Sequence, residues 1–490
     1  MGSTDGRVPR RHRQWRTQDP RHATDPCAGA RGPRALFRGL RRRGPGRRAQ
    51  HRDHDSHHGG ASRSRRGLSD PGAGRCGRGG RLQAGSGIPG NPQQGAGHAH
   101  RDRLPRGPHP MTGPLLLKGF EVELFTGRSD GENVGVAVEA ARDLGDFVTE
   151  PDHRNLEYVT APEARYEPLE QALITPRRRL RQWLAQRDLT LLPGSTLSLG
   201  DPDRFERSDP QNAYHDLIES LYGTRVVTAS IHINLGIAES EALFRSLRLI
   251  RCEAALWLAM SASSPFLGGQ VMTAHSQRWL QFPLTPEWVP LFRDQSHYVS
   301  WMEEQMALGQ MHNVRHLWTS VRPNGPNRPH DLNRLELRIC DLITDPQLLL
   351  AVTTLLELRV LSLLRHPAGL DPLHDSALSA RELADLCDAN EAAAARQSLE
   401  AELRHWRDGR TIRCSDWIQA LLADVTPLAE ELNLRQRLQP IDTLLQEGNQ
   451  AMRWLKAIRS GASLRDVMRE GIAAMAAEEL LMSSRTGALG

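Results

Sequence analysis

Lysine is almost missing from this chain: Lys118 and Lys456 are the only two among 63 basic residues, and all the others are arginine. Missing too is GxxxxGK[ST], and from Met111 onward GxGxxG is absent as well, so neither a lysine-bearing phosphate loop nor a dinucleotide fingerprint is available there. Any nucleotide phosphates would have to be neutralised by arginine and metal. There is no convincing zinc signature or GxSxG elbow either. Of the six cysteines, Cys27 and Cys76 precede residue 110, while Cys252, Cys340, Cys387 and Cys414 are scattered singly with no CxxC, which points to a reducing compartment. No run of about 18 apolar residues suggests a membrane span, and no apolar stretch near the start suggests a secretory signal. A cytoplasmic protein is expected.

Residues 1–110 lack glutamate as well as lysine. There 24 Arg stand against 7 Asp, a net charge of +17 beside +5 for the whole chain, so the remainder is acidic at −12. With almost no periodic apolar residues this head cannot pack a core. As a charged arm it would bind RNA or acidic lipid. Its contrast with the Glu-rich remainder points instead to translated upstream sequence without function, with Met111 as the natural start.

From Met111 the patterning is that of a folded protein. Leu115–Phe125 reads as a strand, apolar and then alternating, so that Glu121 and Glu123 share a face. A helix is expected at about 133–145, a strand over Leu156–Thr160, an Arg-rich helix over Pro168–Gln186, and strands over Thr190–Leu199 and Val226–Leu235 with a helix near 210–222 between them. Helical spacing runs through 239–263 and about 294–308. Strand signals return at His316–Val321 and Leu335–Cys340. Asp345-Pro346 then opens an apolar helix to about 365, with proline at its first position, and from about 377 only helices are expected. Strands and helices do not alternate strictly, which argues for an α+β fold with a largely antiparallel sheet rather than a doubly wound one.

Charge on strand faces is the chemical signal. Glu121 and Glu123 repel each other and resist desolvation unless cations neutralise them; such a surface offers hard oxygen ligands to Mg²⁺, which favours carboxylates plus substrate phosphates. The solvated face of an edge strand would look the same. Glu150 and Glu157 flank the loop beginning Pro151-Asp152 and can reach one site from an adjacent strand, although a surface loop explains them equally. The period of two in Arg334-Leu335-Glu336-Leu337-Arg338-Ile339 lines cation, anion and cation along one side, with apolar residues on the other, and an exposed charge ladder is its plain alternative. His232 and Asn234 share a face at the end of a β-branched strand, where a strand histidine is more often a hydrogen-bonded core residue.

Taken in order, Gly119-Phe120-Glu121-Val122-Glu123, Arg154-Asn155-Leu156-Glu157-Tyr158-Val159-Thr160, His232-Ile233-Asn234-Leu235-Gly236, Ser261-Ala262-Ser263-Ser264-Pro265-Phe266 and Arg334-Leu335-Glu336-Leu337-Arg338-Ile339-Cys340-Asp341 resemble the glutamate–cysteine ligases of the cyanobacterial type. The resemblance covers roughly Leu115 to the C-terminus. It implies a catalytic domain over 111–370 like that of glutamine synthetase: a curved, largely antiparallel sheet with flanking helices, followed by a helical C-terminal region, 371–490, packed on it. It further implies ATP as co-substrate, Mg²⁺ on Glu121, Glu123, Glu157 and Glu336 with Glu150 joining them, His232 and Asn234 at the nucleotide–metal site, and Arg338 on phosphate. Glu336 and Arg338 are thereby the expected catalytic pair, and Arg278 the substrate-side arginine. Glutamate would be phosphorylated on its γ-carboxylate and captured by the amine of cysteine, with no cysteine nucleophile, so Cys252 and Cys340 are read as structural.

Two alternatives stay open on the sequence. One keeps the reaction and changes the amine, which these motifs do not specify; the other is nucleic-acid binding through the basic head. The expected partners are small molecules, glutamate and cysteine, rather than nucleic acid or membrane, with a homo-oligomer left open.

Overall fold

Alternation along Lys118–Gly127 builds the central strand. The computed structural model describes residues 115–486, with side chains through 482. The basic head, with Cys27, Cys76 and the expected start at Met111, lies outside the described residues. Seven strands form one sheet: β1 (Lys118–Gly127), β2 (Phe147–Thr149), β3 (Asn155–Val159), β4 (Thr190–Leu192), β5 (Ile231–Gly236), β8 (Val321–Asn324) and β9 (Arg334–Leu337). Their order is β2-β3-β1-β5-β9-β8, with β4 also pairing β1, and every pairing is antiparallel. A two-residue hairpin, β6 (Phe266–Leu267) and β7 (Gln270–Val271), stands apart.

The period of two sorts this sheet into faces. Phe120, Val122 and Leu124 on β1, Ile231, Ile233 and Leu235 on β5, and Leu335 and Leu337 on β9 are all buried in one core cluster. Helices α1 (Ala137–Leu144), α2 (Tyr166–Ala185), α4 (Ser240–Ser261), α5 (Gln277–Gln281), α6 (Gln295–Ala307) and α7 (Pro346–Arg365) bury residues in that cluster, while α3 (Ala213–Tyr222) does not, and α2 packs on β1 while α4 packs on β8, β9 and α7. Asp345 caps α7 by accepting from the Gln347 N–H, with Pro346 in the first turn, which is why its start was legible. By length and hydropathy α7 matches a membrane span, contrary to the absence of such a run expected from sequence; 78% of its apolar window is buried inside the protein. Its charges are paired there: Glu357 with Lys118 at 3.1 Å, Arg359 with Glu253 through two hydrogen bonds. Burial holds Lys118 below the usual lysine value even beside Glu357. That lysine sits against the helices, away from the polar face.

The C-terminal helices α8 (Pro372–Asp375), α9 (Ala380–Gln397), α10 (Cys414–Glu431), α11 (Gln439–Glu447), α12 (Gln450–Arg459) and α13 (Leu464–Thr486) continue the same core: α9 lies on α4, and α10 and α11 lie on α7. Leu421 and Met475 belong to one cluster with Val122. A hairpin of β10 (Glu402–Arg404) and β11 (Thr411–Arg413) interrupts this region, where only helices were expected. Three-residue strands carry too little alternation to be seen, and Gly409, at φ +72°, supplies the left-handed turn between them. Other expected strands differ as well, and the one over Leu335–Cys340 spans Arg334–Leu337. The one from Thr190 ends at Leu192 because Pro193 has no N–H to give. The one from Val226 begins at Ile231, after a 3₁₀ turn at Gly223–Val226. The one from His316 begins at Val321, after a 3₁₀ turn at Val314–His316.

Candidate active site

Register decides which polar residues meet. On the face opposite the core, Glu123 of β1 lies across from Glu157 of β3, and Glu121 lies across from His232 of β5. Asn234 pairs with Glu336 of β9, and Glu336 with Arg322 of β8. Strand adjacency thus draws the expected residues into two triads, Glu121–His232–Glu336 and Glu123–Glu150–Glu157, within each of which the ligand atoms lie within 4.8 Å of one another.

The first triad is cross-braced. His232 Nδ1 is 2.9 Å from Glu121 Oε2, and Asn234 Nδ2 donates to Glu121 Oε1 at 3.2 Å. Glu336, fully buried, accepts from Arg322 Nε and Nη2 at 2.8 and 3.0 Å, from Asn324 Nδ2 at 2.6 Å and from Arg338 Nη1 at 2.5 Å. Burial pushes the Glu336 carboxyl up, but Arg322, Arg338 and His232 outweigh it and hold the group well below the usual carboxylate range. Burial and Glu336 push Glu121 up, and the hydrogen bond and charge of His232 together with Arg338 bring it below its ordinary value.

Among the described residues no arginine forms a salt bridge with the second triad. Burial and then Glu150 raise Glu123, which keeps one hydrogen bond, from Ser230 Oγ at 2.8 Å. Burial raises Glu150 as well. Glu157 is raised most, by burial and then by Glu150 and Glu121, and its Oε1 is buried without a hydrogen-bond partner. Three carboxylates that resist ionising together, one with an orphaned oxygen, are a donor set that fits a hard divalent cation.

Arg278 reaches the floor of this face but is held there. Its Nε donates to Asp341 Oδ1 at 2.9 Å, and its Nη2 to the carbonyls of Arg338, Ile339 and Cys340. Asp341 also accepts from the Ser263 N–H, Ser264 Oγ and Ser276 Oγ at 2.9, 2.7 and 2.8 Å. The small-residue loop after α4 therefore collars the exit of β9, next to Arg338. Arg154, prominent in sequence, pairs with Asp152 and braces the turn into β3.

Arg322, Asn324 and Ser230 escaped sequence reasoning. The signal for the first two was present, since Val321-Arg322-Pro323-Asn324 puts Arg322 and Asn324 on one face, but the strand was expected to end at Val321.

Residues 117–478 match the profile of Glutamate-cysteine ligase family 2. The chain belongs to this family. It is 24% identical over 348 residues to a sequence-predicted glutamate–cysteine ligase 2-3 of Rubrobacter xylanophilus, covering 69% of this chain and 89% of that protein. It is likewise 24% identical to a sequence-predicted glutamate–cysteine ligase 2 of Solibacter usitatus, over 60% of this chain and 74% of that one. Its fold matches the crystal structure of the Francisella tularensis glutamate–cysteine ligase in complex with AMP at a TM-score of 0.60 and 13% identity, over 76% of this chain and 93% of that one. A bifunctional glutathione synthetase from Pasteurella multocida gives 0.58 at 15% identity, over 74% and 52%. The ligase thus has the α+β architecture expected from its strand motifs, with an antiparallel sheet and a helical C-terminal region.

Proposed function

We propose that this ligase joins the γ-carboxylate of glutamate to the amino group of cysteine, using ATP with Mg²⁺, in the cytoplasm. Supporting the reading above all is Arg338: it touches Glu336 of the first triad, and its charge also lowers Glu121 and Glu150, one from each triad. A cation held between two acidic clusters is placed for a group that carries negative charge from one to the other. In the reaction the γ-carboxylate attacks the terminal phosphorus of ATP, the P–O bond to ADP breaks, and γ-glutamyl phosphate forms. The cysteine amine then attacks the acyl carbon, loses a proton and expels phosphate. Family membership and the AMP carried by the Francisella relative support ATP as the phosphoryl donor.

Glu123, Glu150 and Glu157, with Glu121, His232 and Glu336 beside them, would hold magnesium, which would neutralise phosphate charge there. Arg338 contacts the transferred phosphoryl group, and Glu336 aims it from a side chain fixed by Arg322 and Asn324. His232 and Asn234 orient Glu121. Arg278, with Nε and Nη2 taken up by Asp341 and the carbonyls of Arg338, Ile339 and Cys340, positions Arg338 rather than touching substrate. This is catalysis by positioning and charge, without an enzyme nucleophile. The four described cysteines agree: all are buried thiols outside any disulfide.

ADP release with glutamate and Mg²⁺, measured across a panel of amines with detection of the product, tests the reading. Cysteine-dependent ADP with γ-glutamylcysteine formed is expected; faster turnover with another amine would overturn the choice of cysteine while keeping the chemistry.

A further inference from the structure

Beside β9 the polar face ends at a guanidinium that forms no salt bridge among the described residues. Arg328 lies in the loop joining β8 to β9, and its Nε and Nη1 are buried without a hydrogen-bond partner. The arginines around Glu336 differ: Arg322 and Arg338 bond Glu336, and Arg334 donates to Asn234 Oδ1 at 3.0 Å. Tyr298, on α6, is fully buried, and its hydroxyl is equally unpartnered. The two belong to one neighbourhood, since Gln295 Nε2 of α6 donates to the His330 carbonyl of the same loop at 2.6 Å. Burial pushes the Tyr298 phenol up to about 12, and the charges acting on it are Arg328, then Arg322 and Glu336. Burial and Arg322 push Arg328 down to about 9. A guanidinium keeps its proton in a protein, so that push measures how unfavourable the site is for a cation left alone.

Neither group is held by its own polar contacts, so their placement comes from the frame around them. The loop neck is closed by the Asp331 and His330 N–H groups donating to the Asn327 carbonyl at 2.8 and 2.9 Å. At Gly325 a Cβ would stand 2.0 Å from the Asp331 carbonyl oxygen, so the close approach of the two loop arms requires glycine. Tyr298 is wedged by Phe244 and Phe292, with ring centroids 6.0 and 5.0 Å away. A rigid frame presenting one unpaired cation and one unpaired hydroxyl is complementary to a singly charged anion.

We propose that Arg328 and Tyr298 form an anion subsite beside the Glu336–Arg338 strand that takes a carboxylate of an amino-acid substrate. The inference rests on the ligase reading and deepens it, since the strand motifs leave the acceptor unspecified. A dianionic phosphoryl group is served by the triads and Arg338; one guanidinium and a neutral hydroxyl suit a carboxylate. Substrates without that carboxylate would leave both groups buried and unpaired, which is how a polar site rejects an analogue strongly.

Arg328→Gln, Arg328→Lys and Tyr298→Phe test this. The Arg328→Gln protein is expected to melt no lower than wild type, because a half-buried cation with two unpartnered nitrogens is removed. Its KM for glutamate or for cysteine is expected to rise roughly tenfold or more, beyond any change in kcat, as for a lost charge-assisted bond. Arg328→Lys should recover part of that loss and Tyr298→Phe should show a smaller one. Analogues identify the carboxylate held: loss of the preference for cysteine over cysteamine assigns the acceptor's, and loss of the preference for glutamate over 4-aminobutyrate assigns the donor's α-carboxylate. A rise confined to the KM for ATP, unchanged KM values throughout, or a fall in melting temperature without a KM change would overturn the proposal. If wild type releases no ADP with any amine, the ligase reading fails, and glutarate then decides the subsite alone. A rise in the melting temperature of wild type but not of Arg328→Gln supports it, and no rise overturns it.

Discussion

Two acidic triads share one sheet face and behave as opposites. Around Glu336, two arginines, an asparagine and a histidine converge, and the carboxylate stays ionised although it is fully buried. Around Glu157, carboxylates face carboxylates and resist ionising. The same residue type at the same depth is a structural anion in one place and an unmet demand for a cation in the other. What separates them is the neighbouring strand: β8 brings Arg322 to Glu336, whereas β3 brings a further glutamate to Glu123. Acidic character alone therefore does not mark a metal site; acidic character left unneutralised does.

The largest expected effect tests the neutralised triad. Glu336→Gln takes the anion from Arg322 and Arg338, and a broken buried pair costs about 3–5 kcal/mol, so chemical denaturation should show a loss near that size along with loss of turnover. A change under about 1 kcal/mol would mean that Glu336 is no structural anion, and the contrast between the triads would collapse.

The unneutralised triad should respond in the other direction. Without metal, Glu157→Gln relieves repulsion and is expected to raise stability by about 1 kcal/mol, the scale of one shifted pKa unit. Mg²⁺ at ten times its Kd should stabilise wild type by about 1.4 kcal/mol, reversed by a chelator. The shift should be larger at pH 8 than at pH 5.5, because the carboxyls of Glu123, Glu150 and Glu157, all raised, must ionise to bind. Equal stabilisation of Glu157→Gln by Mg²⁺ would move the metal elsewhere.

The smallest effect comes from a lone carboxylate far from both triads. Glu478 on α13 is pushed up to about 7 by burial and then by Asp345, against the opposing charges of Arg177 and Arg453 and a hydrogen bond from Thr344. Raised in the folded state, it favours folding while protonated, and that advantage is lost as pH climbs from its unfolded value near 4.5 through about 7. Glu478→Gln should therefore melt above wild type at pH 8 and level with it near pH 4.5, and Mg²⁺ should stabilise the two proteins equally. A magnesium response in this variant different from that of wild type would show that burial and repulsion by themselves imitate a metal site.

Much of the candidate site was legible because strands advertise their faces. Glu121, Glu123, Glu157, His232, Asn234, Glu336 and Arg338 each sit in an alternating run, and the polar set of every run points to the same side of the sheet. Arg322 was hidden by a 3₁₀ turn that delays β8 to Val321. Arg278 was legible as an arginine near the site, but that its Nε and Nη2 are engaged by Asp341 and three carbonyls depends on a loop 63 residues away closing onto it. Arg328 and Tyr298 carry no periodic signal, since one lies in a loop and the other on a helix whose neighbours conceal it.

The sequence by itself determined which side of each strand is polar and where helices such as α7 begin, because alternation and capping are consequences of local sterics within a few residues. Only the tertiary structure decided which strands are neighbours, and hence that Glu121 meets His232 111 residues away while Glu336 meets Arg322 only 14 away. Strand order and register follow from burying all the apolar faces against α4, α7 and α2 at once, a condition on the whole chain that no local pattern contains.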